Sequence, residues 1–180
     1  MRHRTLLSLL GAAALLVQPQ LAAAQQACLA EEELSAMAIY AVPGVVRSVQ
    51  LTCGAELSRD GWLAREGTGF SSRYSARQAG AWPSAKAALL KMITGQAVDA
   101  QAAQTLALIS SLPDENVRPM VDALIVQEVS GKIAARDCGG IERMMEAVAE
   151  IEPEVAARLL GAAATLFADD QPLICPARKP

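Results

Sequence analysis

The mature part of this chain has almost no conventional catalytic currency except carboxylates. Its one histidine, His3, lies in the extreme N-terminal segment. Serine or cysteine nucleophiles activated by histidine are therefore absent beyond that segment, as are histidine-ligated zinc, copper and haem. No serine is followed three residues later by lysine, so the Ser-x-x-Lys nucleophile is missing too. Gly67-Thr68-Gly69 is a lone G-x-G without a third glycine, and Gly131-Lys132 lacks the earlier glycine of a phosphate-binding loop. No cofactor is expected.

Two carboxylate groups remain. Glu56, Asp60 and Glu66 flank a glycine-rich stretch, and two carboxyls across a cleft are what glycoside hydrolysis requires. Glu142, Glu146 and Glu150 recur every four residues opposite Met144, Met145 and Val148, which reads as the wet side of an amphipathic helix. The methionines are scattered at inward-reading positions and are expected to fill core gaps rather than bind metal.

The least ordinary stretch runs from 59 to 82. After residue 24 the chain holds six aromatics, and Trp62, Phe70, Tyr74 and Trp82 fall within it. Arg59, Arg65, Arg73 and Arg77 lie there as well, against only Asp60 and Glu66. Arginine offers a planar donor fork, and Trp and Tyr offer rigid stacking area. These eight residues are the candidate binding set. A small anionic or glycan ligand, or a protein partner, fits their chemistry.

The elements that must position them are helices. Alanine is frequent inside the candidate segments, and no long stretch alternates apolar and polar residues. Helices are predicted over 29–41, 45–57, 81–94, 98–110, 114–136, 141–151 and 153–168. Pro43-Gly44 is expected to end the first, Pro83 to open the third, and Asp114 to cap the fifth. Residues 60–80, with Gly61, Gly67, Gly69 and Gly80, are expected to form a long irregular loop with one short turn near 71–78. The fold class is an all-α bundle of five to seven helices, stapled by disulfides.

The staples come from Cys28, Cys53, Cys138 and Cys175, which allow three pairings. Cys28–Cys53 and Cys138–Cys175 are favoured, because each would bracket a helix and its return. The alternative is a pair of long-range bridges between the N- and C-terminal regions. With no Cys-x-x-Cys, a dithiol redox centre is not expected.

Arg2, His3 and Arg4, an uncharged apolar run to Val17, and Leu21-Ala22-Ala23-Ala24 have the order of a secretory signal cleaved after Ala24. Residues 25–180 then form a single domain. Cleavage removes Arg2 and Arg4, so 16 Lys and Arg against 19 Asp and Glu become 14 against 19, about −5. Such a chain does not advertise a nucleic-acid partner. Nothing after the signal reads as long and apolar enough to span a bilayer.

These features together predict a non-catalytic periplasmic or secreted protein that binds a ligand or partner through 59–82. The competing expectations are a carboxylate-dependent glycan hydrolase and a periplasmic acid-responsive chaperone.

Overall fold

The computed structural model describes residues 28–96, 104, 110–168 and 171–176. The proposed signal, and most of the helix expected over 98–110, lie outside those residues. Among the described residues five α-helices form one bundle: α1 (Glu31–Cys53), α2 (Trp62–Gln96), α3 (Asp114–Ser130), α4 (Cys138–Ala149) and α5 (Pro153–Leu166). A short 3-10 turn, Ala135–Asp137, leads into α4. Among the described residues there is no sheet. A parallel bridge, Leu29 to Ile174, draws together the segment before α1 and the segment after α5.

α1 is the centre. It packs against α2, α3 and α5 and touches α4. The sequence leads one to expect two helices here, broken at Pro43-Gly44. Instead α1 runs straight through Pro43 for 23 residues. A proline inside a helix removes one donor and crowds the preceding turn. That cost is offset locally. Gln78 Nε2, from α2, donates to the Tyr40 carbonyl at 2.8 Å, next to the damaged turn. Gly44 has no side chain because Ile125 of α3 sits there: a Cβ would lie 2.7 Å from its Cγ2. One turn on, Ser48 Oγ donates to the Gly44 carbonyl at 2.8 Å and approaches the Val126 carbonyl at 3.2 Å. Fusing the two expected segments also corrects the membrane reading. α1 is long and apolar enough to cross a bilayer, but Glu31, Glu32 and Glu33 open it and three helices pack against it.

The expected glycine-rich loop is likewise helix. α2 begins at Trp62 and continues for 35 residues, with Pro83 inside it rather than at its start. Leu63, Gly67, Phe70 and Tyr74 are buried in a row at spacings of four, three and four. A glycine costs a helix about 1 kcal/mol relative to alanine. Burying a leucine or phenylalanine side chain returns roughly 1.5–3 kcal/mol. Packing therefore outweighs propensity. Gly67 fits because Leu63 Cδ1 would be 2.9 Å from its Cβ, with Gln50 of α1 beyond.

A continuous α1 rules out the favoured cysteine pairing. Cys28 and Cys53 stand at opposite ends of one rod, ~35 Å apart at 1.5 Å per residue, whereas a disulfide requires neighbouring Cα atoms. The bridges are Cys28–Cys175, with Cα atoms 5.0 Å apart, and Cys53–Cys138, at 5.5 Å. They tie opposite ends of α1 to the C-terminal tail and to the start of α4. Both are long-range, as in the alternative pairing.

Two apolar clusters fill the bundle. One holds Val46, Val49, Cys53, Leu63, Phe70, Tyr74, Cys138 and Met145. The other holds Ala36, Tyr40, Trp82, Ala85, Val117 and Val121. Several large apolar residues face outward, including Leu124, Leu159, Leu160, Leu166, Phe167 and two methionines expected to fill core gaps, Met120 and Met144. α5 explains most of these. It lies so close to α1 that only small or compact residues fit between them: Pro153, Ala157, Gly161 and Thr165 make its buried face. Asp114 is the first residue of α3 rather than its cap, and Pro113 precedes it. Its carboxylate pairs with Lys86 at 2.8 Å, and that hydrogen bond holds its pKa below the usual carboxylate range.

Candidate ligand cleft at the start of the long helix

The chain enters α2 through a tight turn, with Gly61 N donating to the Ser58 carbonyl at 2.9 Å. A helix start leaves its first N–H groups without partners. Here the partner comes from another helix. Glu142 of α4 accepts from Leu63 N at 2.8 Å, placing a carboxylate at the positive end of α2. Gly61 makes room for it, since a Cβ there would lie 2.6 Å from Glu142 Oε1. Glu142 is thus half-buried and engaged, while Glu146 and Glu150 stay exposed as the spacing led one to expect.

From this start three rings pack edge to face. Trp62 and Phe70 have centroids 5.7 Å apart at 67°, and Phe70 and Tyr74 are 5.1 Å apart at 60°. Phe70 and Tyr74 are buried, while Trp62 is half-buried at the edge of the same cluster. Burial pushes the Tyr74 phenol pKa up, against the opposing pull of Arg73 and Arg77.

The two arginines join α2 to the α4–α5 connection. The Arg73 guanidinium lies 5.6 Å from the Phe70 ring centre and donates to the Ala149 carbonyl, closing the last turn of α4. Arg77 donates to the Arg73 carbonyl at 2.7 Å, bonds the Glu154 carboxylate, and comes within 3.6 Å of Glu152. The hydrogen bond from Arg77 lowers the pKa of Glu154.

Between these parts opens a cleft of about 730 Å³. α2 contributes Trp62, Glu66, Phe70 and Arg73, and α4 with its following turn contributes Glu146, Glu150 and Glu152. Its walls are joined by the Glu142 cap and the Arg73 bond, and the Cys53–Cys138 bridge ties α4 to α1 behind them. That rigidity is a prerequisite for binding without a large ordering cost.

The candidate binding residues are therefore divided by the fold. Trp62, Phe70 and Arg73 meet at the cleft. Tyr74 sits beneath it in the core. Arg77 braces its far edge. Arg59 lies in the exposed turn before α2, and Arg65 is exposed, donating to the Asp60 carbonyl. Trp82 is remote, fully buried in the second cluster against Tyr40 at 4.9 Å, with the Arg118 guanidinium over its ring at 5.2 Å. Of the carboxylates set aside for hydrolysis, Glu66 lines the cleft, but Glu56 and Asp60 do not; all three are exposed. Glu146, Glu150 and Glu152 were not in the candidate set. The four-residue spacing of Glu146 and Glu150 is visible in the sequence, but not the α2 surface they face. Among the described residues, no three Cys, Asp, Glu or His side chains are placed to hold a metal ion.

Comparison with protein-family models, curated proteins and solved structures found no match to this chain.

Proposed function

We propose that the protein is an exported, non-catalytic binding protein whose ligand lies in the cleft between the start of α2 and α4, and that this ligand is cationic. One observation carries the reading. The half-buried Trp62 and four carboxylates, Glu66, Glu146, Glu150 and Glu152, line one cleft. Its single guanidinium, Arg73, is turned to a main-chain carbonyl. An amine or a lysine-rich peptide suits such a site, through carboxylate hydrogen bonds and the indole face.

An anionic ligand is less well supported, because the forks of Arg73 and Arg77 are already engaged within the fold. Export is supported by the signal-like order of residues 1–24 and by two disulfides with no free cysteine. A glycan hydrolase needs a carboxylic acid shielded from water. Glu56, Asp60 and Glu66 are exposed. An acid-responsive chaperone would uncover apolar surface on protonation, yet Leu159, Leu160 and Phe167 are exposed in the folded bundle already.

The test is calorimetric titration of the disulfide-bonded protein with spermidine and with a lysine-rich peptide, followed in parallel by indole fluorescence. Binding is expected for both and should weaken as salt rises. A neutral oligosaccharide and an acidic peptide should give no heat. Replacing Glu146 and Glu150 together by glutamine removes two exposed charges and should weaken binding about tenfold, with the melting temperature unchanged. Absence of binding by either cation, or full affinity in the double variant, defeats the assignment.

A further inference from the structure

The two disulfides sit in different surroundings. Cys53 is 0% exposed and Cys138 2%. Both belong to the apolar cluster that also holds Val49, Leu63, Phe70 and Met145. Cys53 ends α1 and Cys138 opens α4, so their bond lies between two helices. Cys28 and Cys175 are only half-buried and lie outside both apolar clusters. Neither stands in a helix. Ala30 on one side of the bond, and Pro172 and Pro176 on the other, are exposed.

Thiol–disulfide exchange requires a thiolate to reach a disulfide sulfur. Burial therefore separates the two bonds. An external thiolate reaches Cys53–Cys138 only after α4 parts from α1. It reaches Cys28–Cys175 with those helices in place. The segments that carry this outer bond are also held together without it. Leu29 N donates to the Leu173 carbonyl at 2.7 Å, and Cys175 N donates to the Leu29 carbonyl at 2.9 Å. Leu173 lies over Gly95 of α2, where a Cβ would be 2.5 Å from its Cδ2. Lys91 Nζ donates to the Cys28 carbonyl at 3.2 Å and to the Glu33 carboxylate at 2.8 Å. These contacts hold the two cysteines side by side once the sulfur–sulfur bond is gone, as reversible exchange demands.

We propose that Cys28–Cys175 is an exchange site, opened and re-formed in the folded protein by an external dithiol, whereas Cys53–Cys138 is a permanent structural bond. The protein is the disulfide substrate of this reaction and needs no Cys-x-x-Cys of its own. One thiolate of the dithiol attacks a sulfur of the bridge. The protein S–S bond breaks as a mixed disulfide forms, and the released cysteine thiolate takes up a proton. The second thiol of the reagent then loses its proton and attacks the mixed disulfide, so that the other cysteine leaves and is protonated in turn. The protein cystine gains two electrons and two protons, and the dithiol gives them up and ends as a disulfide. The proposal does not depend on the cleft, which lies toward the Cys53 end of α1.

The test exposes the folded, disulfide-bonded protein to dithiothreitol, quenches samples with iodoacetamide at intervals, and reads each cysteine by peptide mass. Cys28 and Cys175 should be alkylated about a hundredfold faster than Cys53 and Cys138, with the helical circular dichroism intact. Oxidised glutathione, added after the dithiothreitol is removed, should restore Cys28–Cys175. In guanidinium chloride the two bonds should open at similar rates. Equal rates in the folded protein, earlier opening of Cys53–Cys138, or alkylation that begins only as circular dichroism falls each overturn the proposal. So does a rate difference that persists in guanidinium chloride, because it would then come from local sequence and not from burial. Stable glutathione adducts in place of a restored bond overturn it as well, since the fold would not be holding the two thiols together.

Discussion

At the Cys53–Cys138 end of the bundle large side chains do the joining, whereas along the α1–α5 seam the backbones come close enough to demand small ones. At the first, Phe70, Tyr74 and Met145 fill the space between α1, α2 and α4, and Arg73 and Arg77 reach across to the following turn. At the second, Gly161 lies against α1 so closely that a Cβ would be 2.6 Å from the Glu31 carbonyl and 2.4 Å from Ser35 Oγ. Near the far tip, the bridge Leu29 to Ile174, the Cys28–Cys175 bond and the Lys91–Glu33 ion pair at 2.8 Å close the structure. Side-chain joints leave clefts between the elements they connect. Backbone joints push the larger side chains of the same helix outward. Two surfaces follow from that contrast: a carboxylate-lined cleft at one end and a bare apolar face at the other.

Removing a disulfide should have the largest effect. On the chain-entropy account, opening a loop of 85 or 147 residues costs about 4–5 kcal/mol. Alanine at Cys53 and Cys138 should also loosen the cleft, because α4 is then no longer tied to α1, on which α2 packs. Alanine at Cys28 and Cys175 should lower stability comparably while leaving spermidine affinity intact. Chemical denaturation with parallel titrations reads both quantities. Equal loss of affinity in the two double variants would erase the distinction between the ends.

Gly161→Leu comes next. Its side chain has nowhere to go without moving main chain, and overpacking of this kind costs about 3 kcal/mol or more. A change below about 1 kcal/mol would mean that α5 slides easily on α1, and the seam would not be a backbone joint.

How far the residues foretell this fold depends on which choices were local. The helices that start after Pro113 and at Pro153 are set by nearby residues, and both are found. Pro43-Gly44 and the glycines of 61–80 carry local signals for breaks that tertiary packing overrides. The override rests on partners distant in sequence, such as Gln78 for Tyr40 and Ile125 for Gly44. The cysteine pairing follows the same choice: a break at Pro43-Gly44 favours Cys28–Cys53, and a single rod forbids it. For the cleft, Trp62, Phe70 and Arg73 were legible as unusual neighbours. Their carboxylate counterparts were not, since contacts distant in sequence, the Glu142 cap and the Arg73 bond among them, bring α4 onto α2.

Alkaline titration offers a smaller contrast between the two cores. Tyr40 and Tyr74 both have raised phenol pKa values, chiefly through burial, and for Tyr40 the hydrogen bond to Asp122 adds to it. A raised pKa means that folding favours the neutral phenol. Its stabilisation is complete below about pH 10, the unfolded value, and is lost as pH climbs toward the folded one. Phenolate absorbance should therefore appear together with loss of circular dichroism, not before it. Tyr40→Phe should flatten the alkaline decline more than Tyr74→Phe. Phenolate formed while the helices are intact would show that these rings are open to water.

The finest test sets one glycine against another. Gly69 is an exposed residue of α2 on the rim of the cleft, and a Cβ there would meet nothing within 4 Å. Its backbone is helical, and none of the described residues, glycines included, has positive φ. Gly69→Ala therefore adds no strain and restricts the unfolded chain, which should stabilise by about 0.5–1 kcal/mol. Gly161→Ala, the same one-carbon change at the backbone joint, should destabilise. Opposite signs for the two substitutions in thermal melts would locate close approach at the α1–α5 seam and open space at the cleft. Two changes of the same sign would mean that helix propensity, not packing, decides both positions.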